Sequence, residues 1–75
     1  MDWRERIVAD PKILLGKPVI KGTRIAVAHV FDLLARGWSE KDVLDNYPGL
    51  RSEDLRACLA YAKDMADNER VFPRP

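Results

Sequence analysis

The spacing of apolar and polar positions divides the 75-residue chain into an extended first third and three helices. From Ile7 to Val27 no helical period holds, and turn residues interrupt the apolar positions. Asp10-Pro11 opens a turn, Gly16-Lys17-Pro18 follows, and Val19-Ile20 and Thr23-Arg24-Ile25 flank Lys21-Gly22. Short apolar runs bounded by Gly and Pro predict strands, and Gly22 supplies the positive φ that a tight hairpin loop needs. A hairpin across Lys21-Gly22 is therefore expected, with Ile7-Val8 as a further short strand and all strands within about residues 6–25. A two-stranded ribbon is marginal in water, so a helix or a second chain must cover it.

Over residues 26–36 the polar positions His29, Asp32 and Arg36 fall at i, i+3 and i+7, on one face of a helix that is otherwise apolar. Such a helix is buried on more than one side, which places Val27, Val30, Phe31, Leu33 and Leu34 at the centre of the core or of a dimer contact. On that reading Phe31→Ala costs roughly 3–5 kcal/mol and abolishes folding. Gly37 ends the helix as a left-handed cap. Ser39 opens the next helix, residues 39–47, as N-cap, with Asp42 three residues on as its capping-box partner and Val43, Leu44 and Tyr47 as the buried edge. Pro48-Gly49 breaks it. Ser52 is expected to cap a third helix over residues 52–69, with Glu53 and Asp54 at the positive end of its dipole. Leu55, Cys58, Leu59, Ala62, Met65 and Ala66 form its apolar stripe. Residues 70–75, with two prolines, make a tail. The fold class is mainly α with a small β-hairpin: one domain, residues 1–75, in which three helices follow short N-terminal strands.

Composition adds a need for partners. At 47% hydrophobic and 33% charged the chain has the make-up of a globular domain. Its length argues against a self-contained enzyme and limits the stability of its core. The single Cys58 cannot close an intrachain disulfide, and with the single His29 it cannot supply the four ligands of a structural zinc site. No metal or cofactor is expected, and self-association as a homodimer is the remaining source of extra burial. No apolar run approaches the roughly 20 residues of a membrane span, and Met1-Asp2-Trp3-Arg4 lacks the layout of a signal peptide, which points to a cytoplasmic protein with no membrane partner.

Net charge is +1, but residues 1–24 hold six cations against three carboxylates and residues 39–70 hold eight carboxylates against five cations. Like chains can attract front to back, or the basic front can face phosphate. The order of three helices, a short second joined by a tight turn to the third, is that of a helix-turn-helix, whose last helix enters the major groove. Its first turn carries Glu53 and Asp54, which phosphates repel, whereas Arg51, Arg56, Lys63 and Arg70 are favourable. Arg51, Arg56 and Lys63, together with Arg24 on the basic front, are the DNA-binding candidates. The alternative for the basic residues of the third helix is a solvated face. Trp3, Trp38, Arg70 and Phe72 are the partner-binding candidates, the tryptophans being either interface anchors or core lids. Gly16-Lys17 is no phosphate loop, since Pro18 stands where Ser or Thr is required and Pro11 where the first glycine should be. Cys58 and His29 lie on different helices and make a poor catalytic pair.

The run Asp10-Pro11, Gly16-Lys17-Pro18-Val19-Ile20, Lys21-Gly22-Thr23-Arg24-Ile25, Leu33-Leu34-Ala35-Arg36-Gly37-Trp38-Ser39, Tyr47-Pro48-Gly49-Leu50 and Glu53-Asp54-Leu55 resembles a family of short prokaryotic proteins. That family was long catalogued as a domain of unknown function and is now described as VapB-type antitoxins with a homeodomain-like helix-turn-helix. The resemblance covers about residues 6–62. It implies a type II antitoxin that neutralises a PIN-like ribonuclease toxin and binds its own promoter DNA as a dimer. The alternative is a protein-interaction module with no DNA-binding role. Among the motif's polar side chains, Arg24 is the one that turn geometry does not require.

Overall fold

The computed structural model describes residues 2–68. Two short strands, β1 (Ile7–Ala9) and β2 (Pro18–Ile20), precede the helices α1 (Val27–Ala35), α2 (Glu40–Asn46) and α3 (Ser52–Asn68). Single 3-10 turns lie at Trp3–Glu5 and Leu14–Gly16. The expected end of the third helix at residue 69, the tail over residues 70–75, and the candidates Arg70 and Phe72 lie outside the described residues.

β1 and β2 pair antiparallel, with Ile7 opposite Ile20, Val8 opposite Val19 and Ala9 opposite Pro18. The small antiparallel pair is thus present, but its strands are not the two that flank Lys21-Gly22. That turn does form: Gly22 has φ +81 and the Thr23 amide donates to the Ile20 carbonyl at 3.0 Å. Of its two central residues Gly22 alone has positive φ. This is the pattern of a type II turn, which splays the flanking chain, rather than of the type I′ turn that holds a ladder. A single bridge, Val19 to Ala26, remains beyond it. Thr23 ties the turn down, its hydroxyl donating to the Ile20 carbonyl at 2.7 Å and accepting from the Ile25 amide at 3.0 Å.

Val27, Val30 and Leu33 are the buried positions of α1, and they join Ile7, Ile20, Val43, Leu50, Leu55, Ala57 and Cys58 in one core cluster. Phe31 and Leu34, both expected at the centre of the core or of a dimer contact, are half-buried and pack on the edge of that cluster rather than at its centre. One residue on a helix is a rotation of about 100°, and with Val30 aimed inward Phe31 falls to the side. The C-terminus of α1 closes as a Schellman motif: Trp38 donates its amide to Leu33 at 3.1 Å and Gly37, at φ +95, donates to Leu34 at 3.0 Å. The capping box of α2 also forms, with Ser39 Oγ accepting from the Asp42 amide and Asp42 Oδ2 from the Ser39 amide.

α3 departs from expectation twice. Ser52 does not cap it; its hydroxyl donates to Glu40 at 2.6 Å, and the carboxylate of Asp54 reaches back to the Arg51 amide at 2.9 Å. Its apolar stripe is also only half used. Asp54, Leu55, Ala57 and Cys58 are buried, whereas Leu59 is 58% and Met65 39% exposed. The body of the domain covers the first two turns and a half, and beyond them α3 is held chiefly by Trp3, whose indole N–H donates to Asp64 at 2.7 Å and whose ring stands edge-on to Tyr61.

Candidate functional site

Asp54 is 7% exposed, and each of its oxygens is engaged: Oδ2 accepts from the Arg51 amide and Oδ1 from Arg6 Nη1 at 3.0 Å. Arg6 arrives from the residue before β1, and its carbonyl accepts the Lys21 amide at 2.8 Å. Glu5, Arg6, Lys21 and Asp54 therefore line one open cavity of ≈ 320 Å³ beside the start of α3. Of the two carboxylates that the sequence sets against phosphate there, Asp54 is drawn inside and neutralised by Arg6, and Glu53 stays exposed.

Arg51 and Arg56 are exposed and, among the described residues, make no ion pair. Arg24 is likewise exposed and, among the described residues, makes no ion pair; it follows the Lys21-Gly22 turn, whose Lys21 amide donates to the Arg6 carbonyl. Lys63 differs from this group. Its ammonium pairs with Asp67 at 2.6 Å one turn on, and that bond raises its pKa above the usual lysine value. Such an i, i+4 pair is weak, yet it leaves Lys63 half-neutralised where the sequence offered it as a free cation.

A second feature escaped the sequence reading. Leu14, Leu15 and Gly16 have successive positive φ angles of 48, 57 and 82. Glycine takes this conformation freely, whereas a leucine in it costs roughly 1–2 kcal/mol. The result is a leucine pair turned outward, Leu14 43% and Leu15 94% exposed. Together with Lys17, Ala26, Ala28 and His29 they line an open groove of ≈ 470 Å³. His29 closes one end of it, its Nε2 within 2.7 Å of the Tyr47 hydroxyl at the end of α2. The available signal was compositional: two large apolar residues between Pro11 and Gly16-Lys17-Pro18, in a stretch with neither helical nor strand period.

The aromatic candidates separate. Trp3 is half-buried against the core and engaged by Asp64, Tyr61 and the Arg4 guanidinium 4.4 Å above its ring. Trp38 is half-buried against the core and its open side lines a shallow cavity with Arg36, Gly37, Asp42 and Asn46. Cys58 is fully buried, and desolvation pushes its thiol up to about 11, helped by the charge of Asp54. A thiol so held is neutral and unreactive at neutral pH.

The family model for proteins of unknown function, DUF433, matches residues 7–62, from β1 well into α3. The chain belongs to the DUF433 family. A DUF433 member protein from Anabaena variabilis, solved as a crystal structure, superposes with a TM-score of 0.77 at 34% identity, over 83% of this chain and 61% of that one. An uncharacterized protein of Sinorhizobium fredii, y4eO, is 37% identical over 71 residues, which is 92% of this chain and 32% of its own length. The chain thus spans about a third of that relative. An uncharacterized protein of Archaeoglobus fulgidus is 70% identical over 23 residues, or 31% of this chain and 64% of that protein. The Anabaena protein shares the fold of this chain.

Proposed function

We propose that this DUF433 chain is a regulator of the antitoxin type, which grips DNA phosphates through the first turns of α3 as a pair of like chains and neutralises a PIN-like ribonuclease toxin. The observation that carries the DNA half of this reading is the state of charge at the start of α3. Arg51 and Arg56 are exposed and without ion pairs among the described residues, while the part-buried Arg6–Asp54 pair withdraws one of the two carboxylates of the first turn from the surface. A cation held on a helix and unpaired within its own chain is available to a phosphate oxygen, and its binding releases a counterion.

The test is binding to DNA from the chain's own promoter over a salt series, with Arg51→Ala, Arg56→Ala and Lys63→Ala. Each arginine change is expected to weaken binding across sequences and to lower the salt slope by about 1. Lys63→Ala is expected to do less, because Asp67 already occupies its charge. Salt-independent or absent binding by the wild type would overturn the DNA half of the reading. The second reading, a protein-interaction module without a DNA role, is favoured by one observation, the 94% exposure of Leu15 beside an apolar groove.

A further inference from the structure

α2 and α3 begin in different ways. At α2 the N-cap is Ser39 and both halves of the capping box form, the Ser39 hydroxyl accepting from the Asp42 amide at 3.0 Å and the Asp42 carboxylate from the Ser39 amide at 2.9 Å. At α3 the residue before the helix is Arg51, whose carbonyl accepts the Asp54 amide at 2.9 Å and the Leu55 amide at 3.3 Å, as that of an N-cap residue does. Asp54 supplies the return bond, to the Arg51 amide, at 2.9 Å. The forward bond cannot form, because a guanidinium has no acceptor. The cap position thus holds a side chain that cannot cap and a cation at the positive end of the helix dipole, although Ser52 stands next to it. Both choices cost stability, and what they keep is an exposed cation at that position.

Asp54 makes up for the missing half. Its side chain is 10% exposed, and its other oxygen is held by Arg6 Nη1 at 3.0 Å. The Arg51 backbone is therefore fixed at its N–H by a carboxylate that the segment before β1 holds in place, and at its carbonyl by the first turn of α3. A guanidinium carried on a fixed backbone has less freedom to lose on meeting a partner than one on a fraying helix end. We propose that Asp54, held by Arg6, is a positioning residue for Arg51 and sets the direction in which its guanidinium meets a DNA phosphate. This rests on the DNA reading above and names what fixes the geometry of one of its contacts. Charge alone gives the opposite expectation, since removing a carboxylate beside a phosphate contact tightens binding.

The experiment is the salt series on promoter DNA with the full chain carrying Asp54→Asn, Arg6→Gln or Arg51→Ser, and with Arg51→Ala on the wild-type, Asp54→Asn and Arg6→Gln backgrounds. An Asn presents one oxygen and a donor where two oxygens now accept, so the joint is broken. Asp54→Asn is expected to weaken binding and lower the salt slope by about 1, in spite of its extra net positive charge. Arg51→Ala should then add no further fall on that background, and should lose most of its effect on the Arg6→Gln background. Arg51→Ser restores a capping side chain, so it should lower the slope by about 1 and raise the melting midpoint by roughly 4–8 °C. Binding by Asp54→Asn as tight as the wild type or tighter, an Arg51→Ala effect equal on every background, or an Arg51→Ser chain that melts no higher would each overturn the proposal. Melting curves show which variants fold; should Asp54→Asn not fold, the Arg6→Gln background decides, and a full Arg51→Ala effect there overturns it. A wild type without salt-dependent binding removes the DNA reading and this inference together, whereas an Arg51→Ala effect equal on every background removes this inference alone.

Discussion

A buried position in this chain matters through what surrounds it more than through its size. Ile20 is 1% exposed and sits where β2 meets α1, so Ile20→Ala leaves a cavity with walls on every side and should cost about 2–5 kcal/mol. Phe31 is larger but half-buried, and its truncation should cost less, about 2 kcal/mol, with the fold retained. Urea denaturation of the two variants compares them directly; a larger loss for Phe31→Ala would place the core centre on the other side of α1. Cys58 gives a pH signature. Its folded pKa, about 11, is raised above the ordinary 9.0, so its neutral-thiol contribution is fully present below pH 9 and lost as pH rises through the folded value. Stability at pH 11 should fall by on the order of 2–3 kcal/mol through this group, and Cys58→Ala should flatten that part of the curve. Asp54 works as a joint rather than a charge. Removing it in Asp54→Ala leaves Arg6 and the Arg51 amide without their acceptor and should cost roughly 1.5–3 kcal/mol by the same denaturation.

The elements are set by their ends. α2 has seven residues, too few to hold together by its own hydrogen bonds, and it exists because the Ser39–Asp42 capping box closes one end and Val43 is fully buried. Ser39→Ala should therefore cost about 1 kcal/mol. The bond from the Ser39 amide lowers the pKa of Asp42, so the cap contributes above pH 4 and is lost as pH falls through the depressed value. An acid titration of Asp42→Ala, which removes the carboxylate itself, beside the wild type should show the two stabilities drawing together there. At the other end of α1, Gly37 has φ +95 and nothing within 4 Å of where a Cβ would stand. Gly37→Ala should accordingly cost about 1 kcal/mol from backbone conformation alone, without a steric clash, and thermal melts will show whether it does. These ends were legible in the sequence because capping is local: the partners lie within three to five residues of one another. The cap of α3 was misread because Ser52 is the first residue of the helix itself: its hydroxyl donates to Glu40 of another helix, and Asp54 reaches back to the amide of Arg51, the residue before the helix.

At the scale of the whole molecule, the eleven buried apolar residues among those described give a modest core. A chain of this size that also exposes Leu14, Leu15, Leu59 and Met65 should gain stability on pairing. Its midpoint of thermal unfolding is therefore expected to rise with protein concentration, as for any dimer whose folded and paired states are linked. A midpoint independent of concentration would show that the monomer carries its full stability alone. Charge at this scale has a second consequence. With six cations against three carboxylates in residues 1–24 and the reverse bias behind them, both DNA binding and self-association should weaken as salt is raised, for different residues.

The sequence by itself determined what depends on neighbours along the chain: three helices with their breaks at Gly37 and Pro48-Gly49, the capping box, the turn at Lys21-Gly22, and the exposed basic side chains Arg24, Arg51 and Arg56. Only the tertiary structure decided which strand pairs with β2, because turn type sets that choice and Gly22 alone does not reveal it. Only it showed that Asp54 is a buried partner of Arg6, forty-eight residues away in sequence. It also decided which half of the α3 stripe is covered. A helical period marks the apolar side of a helix, but how far along that side the rest of the molecule extends is a matter of packing, and here the packing leaves Leu59 in solvent.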